Sequence, residues 1–123
     1  MTGALALVVG FGGRSLSAGV NPAQVEGTYS GTSSAPQNIA TALTMASGSG
    51  GRAPYTYAWS QFGASPYTWT ITAPTSASTA FTAGSVGPGA SADALFFCTV
   101  TDASGATAAS GLVSAIANNN STA

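Results

Sequence analysis

The residues able to carry chemistry are few. The 123-residue chain holds three carboxylates (Glu26, Asp93 and Asp102), two cations (Arg14 and Arg52), one thiol (Cys98) and no histidine. Hydroxyls abound, with 17 serines and 16 threonines, but a nucleophilic hydroxyl needs a base beside it and the chain offers neither His nor Lys. Asp93 and Asp102 fall at opposite ends of one extended stretch, about 30 Å apart at 3.3 Å per residue, too far to share a calcium ion. Cys98 stands alone, which excludes an intrachain disulfide and a Cys-based zinc site. Its neighbours Phe97 and Thr99 supply no cation to lower its pKa, so it reads as a small buried hydrophobe. Gly10-Phe11-Gly12-Gly13 has no following Lys and opens no helical pattern, so it is a joint and not a phosphate loop. Two cations cannot neutralise a run of phosphates, which argues against a nucleic-acid partner. The expectation is a protein that is not an enzyme, with no catalytic residue, cofactor or metal.

The elements that position these residues are strands. Helical periodicity is nearly absent, and alternation at period two recurs between closely spaced turn signals, the pattern of an all-β sandwich or barrel. Tyr55, Tyr57 and Trp59 occupy every second position and share one strand face directed at a core. Tyr67, Trp69 and Ile71 repeat the device, with β-branched Thr on the outward side. Ile39, Thr41, Leu43 and Met45 form another alternating set. Residues 92–101 place Phe96, Cys98 and Val100 on one face and Leu95, Phe97 and Thr99 on the other, which marks a central strand or one covered by a partner. The expected core is Tyr57, Trp59, Trp69, Phe96, Cys98 and Val100. Asp102-Ala103-Ser104-Gly105 reads as a hairpin connection, with Asp bonding the backbone two residues on and Gly taking φ > 0. A last strand is expected over 106–116.

Three regions follow: an N-terminal arm or edge strand at 1–19, a sandwich at 20–117, and a polar, frayed tail at 118–123. The run Ala4–Val9 lacks the basic residue and the length of a secretory signal, and no stretch of about 20 apolar residues spans a membrane. Leu5, Leu7, Val8, Val9 and Phe11 are the candidate attachment residues, either as a strand or as an arm docking on another molecule. Phe62 and Tyr67 are candidate ligand-facing aromatics for weak carbohydrate binding. Asn119 and Asn120 begin glycosylation sequons that matter only in a eukaryotic secretory host.

The order Pro54-Tyr55-Thr56-Tyr57-Ala58-Trp59, then Pro74–Phe81, then Phe97-Cys98-Thr99-Val100-Thr101-Asp102-Ala103-Ser104-Gly105 resembles bacterial and phage immunoglobulin-like domains over residues 20–116. The resemblance implies an immunoglobulin-like antiparallel β-sandwich with an N-terminal extension. It makes Trp59 the core tryptophan of strand C and puts Cys98 where strand F carries its cysteine. The chain departs from the antibody pattern: the set around Leu43 has no cysteine, and Phe96 stands where a tyrosine corner would place Tyr. Such domains serve as capsid-decoration, tail and fibre modules. The resemblance thus implies a phage capsid decoration protein, or else a tail, baseplate or fibre subunit, or a carbohydrate- or receptor-binding surface module. Its setting would be a virion assembled in bacterial cytoplasm and exposed on the particle surface.

Charge scarcity points the same way. Ala, Ser, Gly and Thr make up 74 residues and charged residues only 4%, against roughly 25% in an ordinary soluble domain. Charge normally keeps domains apart and discourages edge pairing. A chain that omits it is suited to packing against other virion proteins and copies of itself.

Overall fold

The computed structural model describes residues 15–122, and among them the fold is all-β. The strands are β1 (Ser17–Asn21), β2 (Gln24–Tyr29), β3 (Gln37–Ala40), β4 (Thr44–Ser49), β5 (Thr56–Phe62), β6 (Trp69–Ile71), β7 (Ser78–Thr79), β8 (Phe81–Val86), β9 (Ser91–Thr101), β10 (Thr107–Ala109) and β11 (Val113–Asn119). The long β9 is the spine of a five-stranded sheet. It pairs antiparallel with β5 along one edge and with β10 and β11 along the other, and β2 runs parallel to β11. Two antiparallel ladders face it, β1–β4–β7 and β3–β8–β6. They share nearly continuous segments, since residues 41–43 join β3 to β4 and Ala80 alone joins β7 to β8.

The layers meet on four aromatic rings. Trp59 lies edge-on to Phe81 at 5.8 Å, Phe81 stacks on Phe96 at 4.0 Å, and Trp69 lies edge-on to Phe96 at 5.7 Å. Phe81, Phe96, Cys98 and Val100 are fully buried, Trp59 nearly so, and Tyr57 and Trp69 pack half-buried against them. The Trp59 indole N–H donates to the Ser76 carbonyl at 2.8 Å, which satisfies the one polar atom its ring brings inside. A second cluster of Ile39, Ala83, Val86, Ala92 and Ala117 fills the other end of the interior.

Besides a register shift between Gln37 and Ile39 in the β3–β8 ladder, two bulges flank this core. Between the pairs Ala40–Thr82 and Thr44–Thr79, residues 41–43 oppose only 80–81. Between Phe96–Val113 and Thr99–Ala109, residues 110–112 oppose only 97–98. Each bulge is completed the same way. The Thr41 amide donates to the Phe81 carbonyl, and the Phe81 amide donates to Thr41 Oγ1 at 3.2 Å. The Ser110 amide donates to the Cys98 carbonyl, and the Cys98 amide donates to Ser110 Oγ at 2.9 Å. Both hydroxyls then donate to the carbonyl of the following residue. A side-chain oxygen therefore replaces a backbone carbonyl in the ladder.

The bulges correct two sequence expectations. An extra residue reverses which side of the strand faces inward. Ile39 and Thr41 are buried, but Leu43 and Met45 emerge on the outside, and Thr44 and Ala46 take the interior. The strand expected over 106–116 is split at Ser110–Leu112. The boundaries shift as well. The sandwich takes in β1 and so begins before residue 20. The segment expected to fray from 118 is tied down: β11 runs to Asn119, Asn120 and Thr122 donate to the Tyr29 and Gly31 carbonyls, and Ser121 Oγ donates to Ser33. Asn119 is fully buried, with Nδ2 donating to the Val86 carbonyl, so its amide nitrogen is occupied within the fold.

Close backbone approach fixes one glycine here. A Cβ on Gly27 would overlap the Ala40 carbonyl, so β2 crosses β3 at a distance only Gly allows.

Truncating Trp59 removes one end of the ring row, its edge contact with Phe81. Trp59→Ala is expected to lose about 3–5 kcal/mol, read as a large fall in urea midpoint or as insoluble protein. A variant with unchanged thermal stability would remove Trp59 from the core. Ser110→Ala strands the buried Cys98 amide and is expected to cost about 1–3 kcal/mol, whereas Ser110→Thr keeps the hydroxyl and is expected to retain most of the stability; equal stabilities for wild type and Ser110→Ala would refute the ladder role.

Candidate functional site

The three carboxylates lie in two places. Asp102 closes β9 and holds the turn to β10. Its Oδ1 accepts from the Ser104 hydroxyl at 2.7 Å, the Ser104 amide at 2.9 Å and the Ala106 amide at 3.0 Å, while Oδ2 accepts from the Arg52 amide at 3.0 Å. Gly105 follows with φ 92°, completing the turn that the residue order implies. Gly51, at φ 55°, completes the nest, since a Cβ there would sit 2.5 Å from Asp102 Oδ2. These donors, the Ser104 hydroxyl foremost, hold the Asp102 carboxyl below the usual carboxylate range against the opposing effect of burial. All of its partners are groups of its own chain, so Asp102 is a structural clasp joining the 50–52 loop to the β9–β10 turn.

Glu26 and Asp93 sit on the outer face of the five-stranded sheet, at the opposite end of β9 from Asp102. The register places Glu26 and Asp93 on either side of Ile116, two strands apart, roughly 9–10 Å at the ordinary strand spacing. Glu26 Oε2 accepts from Asn118 Nδ2 at 2.6 Å, and Asn118 Oδ1 accepts from the Ser91 hydroxyl. Among the described residues no three His, Cys, Asp or Glu side chains gather where a metal ion would need them.

Cys98 is buried on the inner face of β9. Burial pushes its thiol up from the ordinary value, with the Ala58 backbone opposing in part. It therefore stays protonated and packs as an apolar group.

The outer face holds an exposed apolar feature, while Leu43 and Met45 are exposed on the opposite layer. Phe62 is 53% exposed, Leu112 41% and Leu95 36%. Phe97 lies edge-on to Phe62 at 6.4 Å. Phe62, Phe97 and Leu112, with Ala109 and Ser110, bound an open groove of about 250 Å³. The bulge at Ser110–Leu112 makes this groove: it interrupts the strand beside β9 and leaves Leu112 facing out, one residue before the buried Val113. Alternation along 92–101 signals an apolar outer side, but the bulge that shapes it leaves no mark in the sequence.

The two candidate ligand-facing aromatics are not brought together. Phe62 belongs to this outer groove. Tyr67 packs half-buried against the second core cluster, as does Trp69, whose indole N–H donates to Ser65 Oγ. No open platform of Phe62, Tyr67 and Trp69 forms. The candidate arm residues Leu5, Leu7, Val8, Val9 and Phe11 lie outside the described residues, as does Arg14. No helix of the described residues is long and apolar enough to cross a membrane.

Comparison with known proteins yields no family model that matches the sequence and no curated protein that matches it.

The Asp102 clasp has a pH signature. A carboxyl whose folded pKa is depressed contributes stability that is complete above its unfolded value, about 3.9, and is lost as pH falls through the lower folded value. Asp102→Asn is expected to lower Tm at neutral pH and to flatten the acid side of the stability profile below about pH 4. Thermal melts across that range test this, and parallel wild-type and variant profiles would contradict it.

Proposed function

We propose that this chain is a non-enzymatic structural protein of a virion surface, an immunoglobulin-like domain decorating a phage capsid. The observation that carries the reading is the character of the outer surface. With few charges, it presents mostly hydroxyls, small side chains and an uncovered apolar groove, which suits close packing in an assembly. The carboxylates support it: one is a turn clasp and two are exposed on a sheet face, without a base, nucleophile or metal cluster around them in the described residues. The immunoglobulin-like assignment draws support from pairing order. Read along continuous segments, one layer runs β1, then β3/β4, then β7/β8, then β6, the order of strands A, B, E and D. The other runs β5, β9, then β10/β11, the order of C, F and G. Trp59 then falls on C and Cys98 on F, as the sequence resemblance implies.

The test is location. Particles purified through a density gradient are expected to contain the chain in many copies, seen as surface knobs by electron microscopy and labelled by antibody without disruption. Recovery of the chain only from the soluble cell fraction would overturn the reading. Chain lacking residues 2–12 is expected to lose binding to stripped particles, and full retention would remove that segment from attachment.

A further inference from the structure

The first bulge exposes a group whose chemistry the fold leaves unused. Residues 41–43 oppose only 80–81, so Thr44 and Ala46 take the interior. Leu43 and Met45 stand outside, 64% and 56% exposed. Met45 lies in the middle strand of the β1–β4–β7 ladder, opposite Asn21 on one side and Ser78 on the other. Its backbone is held on both sides, while the short polar side chains opposite leave more than half of it in solvent.

The two kinds of sulfur among the described residues are in contrasting positions. Cys98 is fully buried on the inner face of β9, and burial keeps its thiol protonated. Two-electron oxidants attack the thiolate and must reach it, so a buried, protonated thiol is withheld from them. A thioether has no proton to lose, and its polarizable sulfur needs only to be reached. In the folded chain the sulfur that can be reached is that of Met45.

We infer that Met45 is a modification site for peroxide-class oxidants, which convert it to the sulfoxide on the folded chain and leave Cys98 reduced. A lone pair of the Met45 sulfur attacks one peroxide oxygen. The S–O bond forms as the O–O bond breaks, and the proton of the transferred oxygen goes to the departing hydroxide, giving water. Sulfur loses two electrons and the peroxide gains them. The inward side of β4 is built from Thr44 and Ala46, so the core does not register the change. What changes is the outside, where the apolar pair Leu43 and Met45 acquires a polar centre. The site lies on the layer opposite the groove and stands independently of the proposed function.

The experiment is a time course of purified full-length chain in dilute hydrogen peroxide, read by peptide mass mapping that resolves Met1 from Met45. Met45 is expected to gain one oxygen atom at a rate within about tenfold of free methionine. Thiol titration in urea is expected to find Cys98 still reduced when Met45 is fully converted. The oxidised chain is expected to keep its Tm and to elute earlier from a hydrophobic-interaction column, by more than Met45→Leu treated alike. Slower conversion of Met45 than that, prior oxidation of Cys98, a Tm lowered by the treatment, or equal elution shifts for wild type and Met45→Leu would each overturn the inference.

Discussion

Everything in this sandwich depends on how a backbone amide is satisfied where a strand gains a residue. A bulge leaves an N–H facing a gap in the ladder, and a buried amide without an acceptor costs about 1–3 kcal/mol. Here a hydroxyl fills the gap twice, Thr41 Oγ1 for Phe81 and Ser110 Oγ for Cys98. The two amides flank the ring pair at the centre. Phe81 is itself one of the stacked rings, and Phe96 is the last residue paired before the second bulge. The stack at 4.0 Å therefore sits between two bulges whose Phe81 and Cys98 amides both keep an acceptor.

That arrangement also explains how so little charge suffices. Buried polar demand is met by groups that are inexpensive to desolvate: hydroxyls in the ladders, the Asn119 amide on the Val86 carbonyl, the Trp59 indole on Ser76. The single buried carboxylate, Asp102, accepts four hydrogen bonds and needs no counter-ion to stay ionised. The same economy leaves the outside poorly defended, since the residues that would separate neighbouring molecules are missing.

What the sequence makes legible is whatever depends on local order. Alternation places Tyr57 and Trp59 on the inner face, and Asp102 to Gly105 declares its own turn. Bulges are different. Thr41 and Ser110 look like any of the chain's 33 Ser and Thr residues, and what singles them out is the strand opposite. The inversion of Leu43 and Met45, the break before Leu112 and the outer groove all descend from that hidden cause. The anchored tail has a similar origin: 118–122 is polar, as a loose end would be, yet its acceptors are carbonyls of residues 29–33 and 86, far away in sequence. Glu26 and Asp93 share a face only because β2 joins the sheet parallel to β11.

The groove and the bulge are therefore one feature seen from two sides. On the inside, Ser110 restores the ladder so that Val113 can return to the core. On the outside, the same three residues interrupt the strand and lift Leu112 beside Phe62 and Phe97. A bulge that served packing alone would leave a polar or small residue there, as Ser114 does two positions on. Placing leucine at 112 instead exposes apolar surface beside exposed Phe62, on a face whose charges, Glu26 and Asp93, lie toward the other end of β9.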